Sequence, residues 1–233
     1  NGIIYVSEAG GHRIRKITRA GGDPTLATSY TVTTLAGSGA ATFAEGTGTA
    51  ASFRVPRGLA VDASGNVYVA DSGNARIRMV RPTGQVTTIA GTGTSGTADG
   101  TGDVAKFSSP YGVVVLPDRG QGVSAVVTDS RPMVRQLRLR ADATAGPSSA
   151  NSWLVQTIAG TYGSAGSTDG DGTVALFNGS RMLAADASGN VYVAEYGGQS
   201  VRRATPNSGF FPVGDATGTA PAEPVLLASV DGY

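Results

Sequence analysis

An all-β fold assembled from repeated four-stranded antiparallel sheets is what this sequence predicts, on three observations. Of 233 residues 35 are Gly, hydrophobic residues make up 40% and charged residues only 15%, so turns must be frequent and helices few. A phrase recurs almost unchanged, LAVDASGNVYVAD at 59–71 and LAADASGNVYVAE at 183–195. Around it lies a wider repeat: YVSEAGGHRIRKI from Tyr5, YVADSGNARIRMV from Tyr68 and YVAEYGGQSVRRA from Tyr192 align without a gap. A worn fourth copy, VVTDSRPMVRQL from Val126, is one residue shorter between Asp129 and Leu137. Self-similarity at a fixed period marks a repeat architecture, here with a unit of roughly sixty residues.

Within one unit the strands follow from alternation and punctuation. RGLAVD (57–62), NVYVAD (66–71), RIRMVR (76–81) and QVTTIAG (85–91) are β-rich runs separated by ASG, SGNA and PTG. Each gap is short enough for an antiparallel hairpin, and its Gly supplies the positive φ that such turns need. TLAGSG at 34, TIAGTG at 88 and TIAGTY at 157 mark the fourth strand of three units. Beyond it, Glu45, Asp99 and Asp169 are each followed eight residues later by Phe53, Phe107 and Phe177. Both faces of the sheet carry Val, Ile and Ala, so one unit cannot bury itself. Radial stacking on its neighbours solves that problem, which is the logic of a β-propeller.

The stretch FRVPRGLAVDASGNVYVADSGNARIR at 53–78 closely resembles the NHL repeat, and the other copies extend that resemblance over nearly the whole chain. The resemblance implies propeller blades, most often six, used mainly to bind proteins, RNA or other ligands, with some similar blades found in lyases or hydrolases. Taken as one propeller over 1–233, the chain divides into a partial blade at 1–36, blades at 57–91, 111–160 and 181–214, and a tail at 215–233. The tail DATGTAPAEPVLLASVD repeats the acidic loop, a Pro (Pro224 against Pro56 and Pro110) and a first strand. It is expected either to close a four-bladed ring on the first blade or to begin a further blade, and family habit favours about four blade equivalents inside a six-bladed ring. The chain opens on Asn1 without a Met, which suits a processed product or part of a longer protein.

Charge and composition narrow the function. A net charge of +1 with a pI near 8.2 gives no field that steers nucleic acid or an anionic membrane. No apolar run approaches the ~20 residues of a transmembrane helix. With no Cys and one His, neither a disulfide frame nor a multi-ligand zinc site can form. No GxSxG elbow accompanies His12, which sits at a turn, and the Gly-rich GTGTSGTADGTG at 91–102 lacks the Lys and helix of a phosphate cradle. DGDG at 169–172 hints at calcium, but Ser180 stands where a calcium loop needs Glu. Arg131, Arg135, Arg138 and Arg140 concentrate in the third unit; with near-balanced charge and few aromatics, RNA binding is not favoured.

Residues that recur in register serve what every blade needs. Glu8, Asp71, Asp129 and Glu195 are therefore read as scaffold carboxylates, accepting turn N–H bonds or pairing with an Arg at the start of the next strand such as Arg13 or Arg76. Phe53, Phe107 and Phe177 are read as inter-blade wedges. What varies is the loops. RAGGDPTLATSY at 19–30 and ADATAGPSSANS at 141–152 enlarge three-to-four loops and PDRGQG at 117–122 a one-to-two loop, all on one face. That face, with Arg19, Asp23, Tyr30, Asp118, Arg119 and Trp153, is the expected partner-binding surface, Trp153 being read first as packing over the sheet edge and second as anchoring a contact. Asn178 in NGS is a glycosylation acceptor if the chain is secreted by a glycosylating cell. The expectation is a non-enzymatic propeller, with no cofactor and no metal, that binds a protein or other copies of itself. Low Lys, abundant Thr, Ser, Gly and Ala, and the lack of Cys suit an extracellular or surface protein. A hydrolase or lyase domain and an RNA-binding domain are the alternatives.

Overall fold

The computed structural model describes residues 2–118, 122–141, 143–206 and 227–232. Among these the regular structure is four antiparallel sheets arranged as propeller blades, with helix confined to short 3-10 turns. The first sheet is β1 (Ile4–Glu8), β2 (Arg13–Arg19) and β3 (Tyr30–Ala36) in that order. The second holds β4 (Gly46–Thr47), β5 (Pro56–Val61), β6 (Val67–Asp71), β7 (Arg76–Val80) and β8 (Gln85–Ala90), with β5 innermost and β4 added outside β8. The third repeats this plan with β9 (Gly100–Thr101), β10 (Pro110–Val115), β11 (Ser124–Asp129), β12 (Met133–Leu139) and β13 (Trp153–Ala159). The fourth runs β14 (Ser180–Ala185), β15 (Val191–Glu195), β16 (Ser200–Pro206) and β17 (Leu227–Gly232).

Each central strand is apolar on both faces because it is sandwiched: all five residues of β6 and all six of β11 are buried. The inner strands approach one another closely. A Cβ on Gly58 of β5 would lie 2.6 Å from the Tyr111 carbonyl oxygen, and one on Gly112 of β10 would lie 2.5 Å from that of Arg181. Glycine is what lets three inner strands crowd around one axis. Between sheets, Phe53 packs with Ile14 and Ala36 of the first sheet and Val67 and Val69 of the second. Phe107 packs with Ile77 and Ala90 of the second and Val127 of the third, and Phe177 with Val134 and Ala159 of the third and Val193 of the fourth.

Two features differ from the sequence expectation. The segment Leu227–Gly232 pairs with β16 through Arg202↔Gly232 and Ala204↔Val230, so it forms the outer strand of the fourth sheet. It neither opens a further blade nor closes the ring on the first sheet, because β1 pairs with β2 alone among the described strands. The first strand expected in the tail thus serves as a fourth strand; the end of the blade expected at 181–214 lies outside the described residues from 207 on, as does Pro224. The acidic loops, read as turns, also contribute the two-residue strands β4 and β9, where Gly46 pairs with Val86 and Gly100 with Val155. Two residues are too few for alternation to reveal a strand.

Candidate functional site

The repeated carboxylates build one module three times over. Asp71 Oδ1 accepts the Arg54 N–H at 2.8 Å, and its Oδ2 takes the Asn74 amide at 2.8 Å and Arg78 at 3.0 Å. Asp129 accepts the N–H groups of Ser108 and Ser109, both at 2.8 Å, while Glu195 accepts Asn178 N–H and pairs with Arg202 at 3.2 Å. A second acid arrives from the preceding loop: Glu45 lies 3.4 Å from Arg78, Asp99 lies 2.6 Å from Arg135, and Asp169 pairs with Arg202. Each guanidinium also donates to two loop carbonyls, as Arg135 does to Lys106 and Ala98. The Phe ring of the same loop lies against it, with centroid distances of 5.3 Å for Arg78 over Phe53, 5.0 Å for Arg135 over Phe107 and 5.6 Å for Arg202 over Phe177. Planar, multiply donating Arg suits this better than Lys, which the chain barely uses.

The partner of the carboxylate is thus the third residue of the following strand, not its first. Arg76, directly opposite Asp71 in the ladder, turns instead to the carbonyls of Asn74 and Thr92 and stacks 4.0 Å over Phe43; Arg13 likewise donates to Gly11 and Ser38. That leaves Arg78 and Arg15 to reach back diagonally to Asp71 and Glu8. Burial raises the Asp71 carboxyl above the usual carboxylate range, opposed by the Asn74 amide, the Arg54 N–H and Arg78. Asp71 and Glu195 are buried with their Arg partners, while Glu45, Asp99 and Asp169 stay about half exposed at the loop surface. Among the described residues no three His, Cys, Asp or Glu side chains converge as metal ligands, and His12 Nδ1 accepts the Val55 N–H across the first junction at 3.2 Å.

At the other end of the sheets lies a concavity of about 430 Å3 between three one-to-two hairpins. The inner strands end there in Val61, Val115 and Ala185; Leu116, Pro117 and Val123 complete an apolar wall, and Asp62, Asp118 and Asp186 bring carboxylates to its lining. Two of the three hairpins are braced by their own bonds. Asp62 accepts the N–H groups of Ser64 and Asn66 at 2.9 Å, the Asn66 amide at 2.9 Å and the Tyr68 hydroxyl at 3.0 Å. Asp186 does the same with Asn190 and Tyr192, and the Asn190 amide holds its carboxyl below the usual carboxylate range. Burial, and then the neighbouring Asp62 charge, push the Tyr68 hydroxyl far up, so it remains a donor. This is the physical content of the duplicated phrase: Asp, Asn and Tyr of DASGNVY lock the hairpin that carries the concavity. Its apolar wall escaped sequence reasoning because Val61, Val115 and Ala185 read as ordinary strand residues.

The remaining predicted site residues scatter. In the 19–30 loop Arg19 donates to the Gly22 carbonyl, Asp23 accepts the Thr25 N–H at 2.9 Å and its hydroxyl at 2.7 Å, and the Tyr30 hydroxyl donates to Pro24 at 3.0 Å. These bonds shape an exposed loop. Asp118 lines the concavity, and Arg119 lies outside the described residues. Trp153 takes the packing role and leaves the partner-binding set: its side chain is 0% exposed, set edge-on to Tyr68 at 5.9 Å with its indole N–H on the Pro147 carbonyl, so it packs the core between the second and third sheets. The 141–152 loop folds over the second sheet, where Arg81 donates to Ser148 Oγ at 3.2 Å. Asn178 is half-buried against Gly197, and Ser180 of its sequon is buried. The arginines of the third unit do not gather into one patch, since Arg135 is buried beneath Phe107 while Arg131 stacks on Tyr162.

Residues 53–78 match the NHL repeat family. The chain is 36% identical over 80 residues to Protein SUPPRESSOR OF QUENCHING 1, chloroplastic, of Arabidopsis thaliana, a match covering 34% of this chain and 7% of that protein. Among solved structures it is similar to an auxiliary nutrient binding protein from Bacteroides thetaiotaomicron, with a TM-score of 0.61 and 17% identity over 87% of this chain and 45% of that one. It is also similar to a streptogramin B lyase, with a TM-score of 0.50 and 13% identity over 100% of this chain and 51% of that one. At such identities the likeness is one of fold, and the chain spans about half the length of these structures.

Proposed function

We propose that this propeller, whose residues 53–78 match the NHL repeat, serves as a binding module without catalysis of its own, a protein-interaction or structural unit of a larger surface or extracellular protein. One observation carries this reading: the apolar concavity with carboxylates in its lining is flanked by two hairpins braced by their own bonds, while the repeated acids and arginines pair with one another in the scaffold. A preformed, mostly apolar hollow with a few fixed polar groups is the usual form of a recognition site. Its chemistry suits a peptide that inserts an apolar side chain flanked by Lys or Arg, since Asp62, Asp118 and Asp186 line it.

Selection of a displayed peptide library against the chain tests this. Peptides enriched on the parent, rich in basic and apolar residues, are expected to lose binding to the double variant Val61→Lys, Ala187→Lys. Both positions are exposed, so the fold is kept. Enriched peptides that bind the variant equally, or that lose binding on Asp71→Ala while that variant stays folded, sink this assignment and move recognition to the repeated carboxylates.

A further inference from the structure

On the first sheet, exposure departs from the repeat. Ile4, Val6 and Val32 on the outer face of the first sheet are 54%, 39% and 51% exposed, whereas their equivalents Val67, Val69 and Val86 on the second sheet are at most 1% exposed. On the second sheet this face is closed by the first sheet, by Phe53 against Arg78, and by Glu45, whose carboxylate accepts the Thr88 N–H at 3.0 Å and hydroxyl at 2.6 Å. The third sheet uses Asp99 on Thr157 and Arg135 in the same way. The corresponding residues of the first sheet are Thr34 and Arg15, and Arg15 reaches Glu8 at 3.0 Å with both side chains partly exposed. Among the described strands none lies inside β1, where the second sheet has β5 inside β6.

We propose that the outer face and β1 edge of the first sheet form an acceptor site for an extended segment carrying an acidic residue eight positions before a Phe, followed by a β-strand. The acid binds Arg15 and Thr34, the Phe stacks on the Arg15 guanidinium, and the strand pairs antiparallel with β1. The ladder of the second sheet supplies the register: Pro56, Leu59 and Val61 face Asp71, Val69 and Val67, which translates to Glu8, Val6 and Ile4. Strand addition gives affinity through backbone hydrogen bonds, and the acid and the Phe give specificity. The occupant is identified by charge and shape together: among the described residues Arg15 has no counterpart of the loop carboxylate that Glu45, Asp99 and Asp169 bring to Arg78, Arg135 and Arg202, and Ile4, Val6 and Val32 lie without an apolar cover.

The probe is a fluorescent peptide of residues 44–62, AEGTGTAASFRVPRGLAVD, titrated against the whole chain. Saturable binding is expected, with slowed amide exchange at residues 4–8. Binding is expected to weaken at least tenfold with Phe53→Ala in the peptide, and equally with Val32→Glu or Arg15→Glu in the chain, whose circular dichroism should match the parent. No saturable binding, indifference to Val32→Glu and to Phe53→Ala, or protection away from β1 overturns the proposal. So does concentration-dependent dimerisation that Val32→Glu abolishes while the peptide fails to bind, which assigns the face to a second copy.

Discussion

The two ends of each sheet are built on opposite rules. At one end the turn between the second and third strands, together with the acidic loop, repeats the same groups: Asp71, Arg78, Glu45 and Phe53 in the second sheet, Asp129, Arg135, Asp99 and Phe107 in the third. These groups are mostly buried and spend their hydrogen bonds on one another. At the other end the hairpins diverge, from PTG at 82–84 to the twelve residues of 141–152, and there the concavity opens. Identity between units within one chain therefore marks what joins the units or, as with DASGN at 62–66 and 186–190, what stiffens a hairpin, and difference in loop length and sequence marks where one surface can be shaped for a partner.

The contrast is sharpest where a scaffold group is removed. Phe107 fills the wedge between the second and third sheets and covers the buried Arg135, so Phe107→Ala is expected to cost roughly 3–5 kcal/mol in denaturant unfolding. Asp71→Ala leaves Arg78 buried against one acid instead of two and should cost about as much, on the order of 3–5 kcal/mol. A loss below about 1 kcal/mol for either would show that the junctions are not what holds the blades.

The Asp71 pair also sets a pH response. Because the folded carboxyl titrates above its unfolded value of about 3.9, the native state keeps this proton longer than the unfolded chain does. Stability from this group is therefore greatest at low pH and falls as pH rises from the unfolded value through the raised one, at a limiting slope on the order of 1.4 kcal/mol per pH unit. The stability advantage of the parent over Asp71→Asn should narrow across that window. An advantage that widens with pH would mean that Arg78 and the N–H donors outweigh burial.

How much of this was legible in the sequence follows from the same division. Repetition exposed the four sheets, the strand spans of the second and the three Phe wedges, because each repeats a residue type in register. It did not expose that Asp71 pairs with Arg78 instead of Arg76, since both arginines occupy the same side of one strand and only the path of the adjoining loop decides between them. Packing was the expected role of Trp153, but its neighbour was not legible for a related reason. A single large residue after a long loop gives no periodic clue that it lies opposite Tyr68 of the neighbouring sheet. The concavity is a property of three hairpins brought side by side, which no one segment encodes.

Within the hairpin end itself, Tyr68 separates stiffening from recognition. Its hydroxyl donates to Asp62 at 3.0 Å from a largely buried ring, so Tyr68→Phe should cost about 0.5–1.5 kcal/mol and loosen the hairpin that carries Val61. Faster amide exchange at Ser64 and Asn66 would report that loosening, and unchanged exchange would show that the backbone bonds to Asp62 suffice.

The smallest effect is expected in the 19–30 loop, and it draws the boundary between the two rules most finely. Asp23 is fully exposed, and its carboxyl is held below the usual range by the Thr25 hydroxyl and N–H, so its bonds order the loop without tying it to a sheet. Thr25 can turn to water when the carboxylate is gone, whereas Arg78 has no such recourse when Asp71 is removed. Asp23→Ala should therefore leave the urea midpoint and the slope of unfolding unchanged, while raising exchange at the Thr25 amide. A lowered midpoint would show that this insertion is part of the structural frame after all, and the division between a repeated, buried end and a variable, adaptable end would have to be redrawn through the first sheet.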